Sequence, residues 1–265
     1  MARSEIGQGN GAARPNVVLI LVDDMGFADL GIMGSEIRTP NIDALARGGV
    51  LMTSMYNCAR CCPTRASLLT GLYPHNAGVG HMGANLGTPA YQGFLRNDSA
   101  TIAEVLREAG YRTMMSGKWH VAGDFMAREV DSWRVGDVDH PTPRQRGFDR
   151  FYGIVDGVTN FFSPHFMLED DSRVEVYPDD FYFTDAITDK AIGMVEEAAK
   201  DDKPFFLYLA HAAPHWPLHA PEEDIARYDG VYNAGWDKIR TARHEEMNGR
   251  RVLQKNWQIS PRDSE

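Results

Sequence analysis

The chain is short of sulfur, of positive charge and of long apolar runs. Its three cysteines, Cys58, Cys61 and Cys62, stand within one stretch of a 265-residue sequence, so no disulfide framework staples the fold. Lysine and arginine number 27 against 37 aspartates and glutamates, a formal net charge of −10. That balance argues against a nucleic acid or an anionic membrane surface as partner, because both reward a basic footprint. Any anionic ligand must then be met by a local cluster of cations. The longest apolar run, "VVLILV" at residues 17–22, falls far short of the about 20 residues that span a bilayer. The opening "MARSEIGQGNGAARP" lacks the apolar centre of a signal peptide, so residues 1–14 read as a polar tail. As written the chain is expected in the cytoplasm, or in the periplasm or secreted if a leader is missing.

What is present is a 43% hydrophobic chain, enough to bury a sizeable core, in which strand and helix signals alternate. "PNVVLILVDD" reads as a strand buried on both faces that ends in two carboxylates. "TPNIDALARGG" opens a helix with Thr39 as N-cap and Pro40 at its first position and stops at Gly48. "VLMTSMYN" reads as a second strand, and "PTRASLLTG" as a helix with Gly71 past its end. "TIAEVLREAG" carries a capping box from Thr101 to Glu104, with "YRTMMSGKWH" as the next strand. Residues from about 122 to 178, rich in Asp, Pro and Gly, read as long excursions. "TDAITDKAIGMVEEAAK" restores helical period, and "PFFLYLA" is a further buried strand. The alternation predicts an α/β fold with a mostly parallel sheet and helices on both faces, and ligands at the carboxyl ends of the strands.

Those ends carry chemistry. Asp23 and Asp24 follow the first strand, Cys58 to Arg65 the second, Lys118 and His120 the third, His211 and His215 the fourth. Two adjacent aspartates suit a hard divalent cation, and also a turn or a cap. Lys118 and His120, two apart on an extended chain, point to one side, as they would on an ordinary surface face. Pro214 and Pro217 forbid a helical histidine pair in "HAAPHWP", so packed loop histidines are the plain alternative there. Cys58 and Cys61 have the spacing of a redox pair. A zinc site would want four soft ligands, and two of the three cysteines are adjacent and poorly placed for one tetrahedron. Structural burial is the remaining ordinary reading, but the proline and arginine that follow are strange for a core.

Cys61-Cys62-Pro63-Thr64-Arg65, followed by Ala66 to Gly71, resembles the sulfatase signature C-x-P-x-R-x-x-x-L-T-G at every fixed position. The resemblance continues in "LVDDMG", "TPNIDALARGG", "GKWHVAG", "RGFDRFYG" and "APHWPLHAP", over residues 15–265. It implies an alkaline-phosphatase/sulfatase-like catalytic domain across that range and an arylsulfatase-like sulfuric ester hydrolase. In that family the first cysteine of the signature becomes formylglycine through a maturation enzyme, which gives Cys61 an aldehyde hydrate in place of a thiol. One hydroxyl attacks sulfur, and the other helps expel sulfate. Asp23, Asp24 and the converted Cys61 then face a divalent cation, most often Ca²⁺ with Mg²⁺ as the alternative. Arg65 sits beside the hydrate, Lys118 and His215 hold the sulfate and assist the leaving group, and His120 orients the hydrate. His211 is a weaker candidate than His215. The implied substrate is a small-molecule or saccharide sulfate ester.

The family's later Asp-Asn metal pair, second lysine and small C-terminal domain have no counterpart in the sequence. The chain is therefore expected to be an N-terminal portion, with weak cation binding, little turnover by itself and an exposed sheet edge beside "PFFLYLA". A phosphonate monoester hydrolase or phosphodiesterase of the same superfamily, and a catalytically incompetent fragment, are the alternative readings.

Overall fold

A computed structural model describes residues 14–123, 134–254 and 257–262, and the chain groups into two compact units, residues 1–23 with 58–217 and residues 24–57 with 218–265.

The first unit is built on a six-stranded sheet in the order β1-β6-β2-β3-β4-β5, with β1 at Val17–Leu21, β2 at Arg112–Lys118, β3 at Arg150–Ile154, β4 at Met167–Glu169, β5 at Ser172–Val174 and β6 at Phe205–Ala210. The first four in that order run parallel, and β4 and β5 are antiparallel. Residue alternation divides the core between the two faces, because successive side chains of a strand point opposite ways. Met115, Phe151, Phe206 and Tyr208 pack on one side with helices α2 (Cys61–Thr70) and α3 (Ile102–Glu108). Met114, Tyr152, Ile154, Phe205, Leu207 and Leu209 pack on the other against helix α4 (Phe183–Ala198) through Phe183, Ile187 and Met194. This is the expected mostly parallel α/β sheet with helices on both faces.

The helices form where their punctuation places them. In α3 the Thr101 hydroxyl accepts from the Glu104 N–H at 3.1 Å while the Glu104 carboxylate accepts from the Thr101 N–H at 2.8 Å, a reciprocal cap that satisfies two otherwise orphaned donors. In α2, Cys62, Arg65, Ala66 and Leu69 recur at helical spacing and are all buried, so one face carries both the apolar contacts and the arginine. Gly71 closes α2 at φ 70°, its N–H donating to Ser67 O.

The strand ends are brought close by small residues. Leu21, Ala210, Gly117 and Gly153 lie level across the four parallel strands. A Cβ on Gly117, whose φ is +116°, would stand 2.0 Å from the Ala210 carbonyl oxygen. Just past this row the chain delivers Asp23, Lys118 and His211.

The second unit holds helices α1 (Pro40–Gly48), α5 (Glu222–Ala226) and α6 (Trp236–Gly249). Arg243 of α6 grips both Glu36 oxygens at 2.6 Å and Asp29 at 2.7 Å. Its hydrogen bonds hold the Glu36 carboxyl down at about 2, against the opposing effect of burial.

Several expectations need correction. Residues 50–57 form no strand; Val50, Met52, Met55 and Tyr56 are exposed, and the apolar pattern has no partner strand to pair with. The strand β1 is half-buried on one face and exposed on the other, with Val18 and Ile20 each 51% exposed, and it lies at the edge of the sheet. The edge expected beside "PFFLYLA" is therefore at β1, and β6 is interior. Thr39 makes no side-chain cap; its hydroxyl bonds Asp43 and accepts from the Gly31 N–H. Within the segment read as irregular, β3 and the β4–β5 hairpin complete the sheet, and residues 124–133 of that segment lie outside the described residues. The helix α6 had no assignment from sequence.

Two consequences are measurable. Gly117→Ala, with a positive φ and a backbone oxygen in the way, should destabilise the first unit by about 3 kcal/mol or more, whereas Gly193→Ala in α4, where the new methyl meets nothing within 4 Å, should stabilise by about 1 kcal/mol; urea unfolding of both variants checks the opposite signs. The Glu36–Arg243 pair is a depressed carboxylate, so its stabilisation is present above the ordinary value of 4.5 and is lost as pH falls towards about 2. Arg243→Met should move loss of α6 helicity in an acid titration to higher pH, and an unchanged titration would count against the pair.

Candidate active site

Asp23 leaves the end of β1 and is 5% exposed. Its main-chain N–H donates to Ala213 O at 3.2 Å, which ties the segment after β1 to the segment after β6. Its Oδ2 accepts from two cations, Arg65 Nη2 at 3.2 Å and Lys118 Nζ. Arg65 is 1% exposed and Lys118 has no exposed surface. Arg65 is fixed further by donating through Nη1 to Lys118 O at 2.7 Å and to Tyr208 Oη at 3.4 Å, and through Nη2 to His211 O at 3.4 Å. Such a buried cluster persists only because each charge is partnered; removing one partner of a buried ion pair costs about 3–5 kcal/mol. Two cations against one carboxylate leave positive charge in excess, in surroundings where it is poorly screened.

Beside this cluster stands Cys61, at the first residue of α2, with Sγ 4.0 Å from Met82 Sδ. The hydrogen bond from Cys62, joined by His120 and the charge of Lys118, holds the Cys61 thiol far below its usual range despite burial. The same bond and then burial push the Cys62 thiol up, so Cys62 stays protonated and donates. Sulfur of Cys61, sulfur of Cys62 and a ring nitrogen of His120 all lie within 4.8 Å of one another. Burial lowers the His120 imidazole, which favours its neutral form.

His120 does not reach this place as a continuation of the strand. Its φ is +56°, with its N–H donating to Val155 O at 3.2 Å, so the same-side reading of an extended Lys118–His120 pair is replaced by a left-handed turn after β2. Gly157 lies against the ring: a Cβ there would stand 2.2 Å from His120 Nε2. Nδ1 of His120 and Nε of Arg65 are buried with no hydrogen-bond partner among the described residues.

The structure thus gathers Asp23, Cys61, Arg65, Lys118 and His120. Asp24 is exposed, with φ 61°, and begins the second unit. His215 is half-buried with Nδ1 2.5 Å from Trp216 O. His211 enters through its backbone carbonyl, and burial lowers its imidazole. Tyr208, Gly157 and Met82 escaped the sequence reading. Tyr208 sits in an apolar strand like any core residue, and only the bond to Arg65 gives it a part. A hard divalent cation takes carboxylate oxygens, and Asp23 has Oδ1 accepting no hydrogen bond among the described residues, so the chemistry of Asp23 fits such an ion.

Known proteins can be set beside this geometry. The family model described as Sulfatase matches residues 15–259. An uncharacterized sulfatase of Schizosaccharomyces pombe is 33% identical over 273 residues, 94% of this chain and 47% of that protein. The arylsulfatase of Klebsiella aerogenes is 35% identical over 240 residues, 85% of this chain and 48% of the enzyme. The solved structure of Ps i-CgsB in complex with k-i-k-neocarrahexaose superposes with a TM-score of 0.70 at 32% identity, covering 90% of this chain and 53% of that one. The chain spans about half the length of the relatives it matches, and its sheet has the alkaline-phosphatase-like architecture of sulfatases. A family match over nearly the whole sequence shows that this chain belongs to the sulfatase family.

Proposed function

We propose that the chain carries the sulfate-ester-hydrolysing centre of an arylsulfatase-like sulfuric ester hydrolase, with Cys61 converted to formylglycine by a maturation enzyme and a divalent cation, Ca²⁺ before Mg²⁺, held by Asp23, Asp24 and residue 61. One observation carries the reading: a net positive, buried Arg65–Asp23–Lys118 cluster lies beside Cys61 in an otherwise acidic protein. A sulfate monoester is an anion, and a preorganised cationic site stabilises charge that develops on its oxygens as the ester bond breaks. When present, the formylglycine hydrate and cation supply an activated nucleophilic hydroxyl and draw charge from sulfate.

The chain's own side chains do the rest. Lys118, fixed by Asp23, presents its ammonium to a sulfate oxygen. Arg65, locked by Lys118 O, Tyr208 and His211 O, holds the hydrate side of the site and keeps Asp23 oriented. His120, kept neutral by burial, accepts a proton from a hydroxyl on residue 61 and fixes its direction. His215 binds sulfate and protonates the leaving alcohol. The substrate class is a small-molecule or saccharide sulfate ester, supported by the hexaose bound to the structural neighbour Ps i-CgsB.

Three experiments test this. Coexpressed with a formylglycine-generating enzyme, the chain should yield a residue-61 peptide with the mass of formylglycine while Cys58 and Cys62 remain cysteine. This readout does not require turnover, and an unmodified Cys61 in an active preparation would sink the assignment. In a preparation that hydrolyses an aryl sulfate, Cys61→Ala and Arg65→Ala should each reduce kcat/KM by about 10³-fold or more. Parallel assays with the matching aryl phosphate and phosphonate esters decide the ester class, and a preference for either over sulfate would overturn the sulfatase assignment.

A further inference from the structure

The maturation chemistry acts on a thiol, and in the thiol form the same corner of the molecule is a different kind of site. We propose that the unconverted protein binds one borderline-soft divalent cation, of the kind represented by Zn²⁺, through Cys61 Sγ, Cys62 Sγ and a ring nitrogen of His120. This site is separate in chemistry from the oxygen-donor site at Asp23 and exists only while residue 61 is cysteine.

Three facts point to it. The three donor atoms already lie within 4.8 Å of one another. Two sulfurs and a nitrogen on one tetrahedral zinc stand roughly 3.5–3.8 Å apart, as follows from bond lengths of about 2.3 and 2.0 Å, so a contraction of about 1 Å completes the set. His120 is 8% exposed, and its buried Nδ1 has no hydrogen-bond partner among the described residues. An unpaired buried nitrogen is costly and rare, and coordination or a hydrogen bond that frees the other nitrogen to coordinate would relieve it. Finally, the positions are held: Cys62 is fully buried on the core face of α2, and the His120 ring fills the space that a side chain at residue 157 would occupy, its main-chain N–H tied to Val155 O. On sequence alone zinc is disfavoured because there are only three cysteines, two of them adjacent and poorly placed for one tetrahedron; in the fold both adjacent sulfurs come within 4.8 Å of a His120 ring nitrogen. Folding adds the third from a residue 58 positions further on, and solvent supplies the fourth.

Charge favours the complex. Two thiolates neutralise the dication, and the Cys62 thiol proton leaves to solvent as it binds. Lys118 and Arg65 nearby are already partnered by Asp23, which limits their repulsion. Cys58 takes no part, since its Sγ lies 3.4 Å from Ser67 Oγ.

The test uses protein made in a host without the maturation enzyme, with Cys61 verified as a thiol by mass, reduced and stripped of metal. Titration with Zn²⁺ against a chromogenic chelator should give one zinc per chain. Cys61→Ser, Cys62→Ser and His120→Ala should each weaken binding at least about tenfold, while Cys58→Ser leaves it unchanged. Co²⁺ should give a thiolate charge-transfer band that disappears in Cys62→Ser, with circular dichroism of that variant showing that it remains folded. Absence of stoichiometric zinc binding in the wild-type thiol form, or wild-type affinity in the Cys61→Ser/Cys62→Ser double variant, would overturn the proposal. Because the protein tested has no formylglycine, neither result bears on whether the mature form hydrolyses sulfate esters.

Discussion

A single carboxylate oxygen, Oδ2 of Asp23, organises the centre of the first unit. It accepts from Arg65 of helix α2 and Lys118 of strand β2, so a strand end, a helix and a second strand end converge on one buried point. Without it, two cations would lie in a low-dielectric interior with nothing to balance them, a state that buried ion pairs show to be strongly unfavourable. With it, the cations are held in place and one positive charge is left in excess over the carboxylate. The same interaction thus permits burial of both cations.

The convergence depends on packing that has no chemical role. The helix α2 turns Cys62, Ala66 and Leu69 into the core, which fixes the helix about its axis and aims Arg65, on the same face, towards the strand ends. Large side chains on alternate positions of β2, β3 and β6 fill the layers on both sides of the sheet. At the level of Gly117, Gly153 and Ala210 the residues become small, and the main chains approach closely just before the reactive groups emerge. Burying each large apolar side chain contributes about 1.5–3 kcal/mol, and that sum, spread over both faces, bears the cost of keeping charge inside.

Cys62 shows how context alters a side chain's meaning. It occupies the unspecified position of the signature, where any small residue could pack. In the fold it is fully buried, keeps its proton and points it at Cys61. Its sulfur also lies in a compact soft-donor cluster with Cys61 and His120.

The sequence by itself determined the alternation of elements, because apolar strand runs, the Thr101–Glu104 capping box and the Gly71 stop are local signals with local causes. It also exposed the family through the spacing from Cys61 to Gly71, and nominated Asp23, Arg65, Lys118 and His120 as groups at strand ends. It could not show that β1 lies at an edge, that residues 50–57 lack a strand partner, or that β3 joins β2 from within a Gly- and Asp-rich stretch, since strand pairing is settled by distant segments. Tertiary structure alone decided that His120 turns through a left-handed residue to meet Cys61 and Cys62, that Tyr208 reaches Arg65, and that Gly157 leaves space for the imidazole. Those facts rest on contacts between residues tens of positions apart, and only the packed sheet brings them within the few ångströms over which hydrogen bonds and buried charges act.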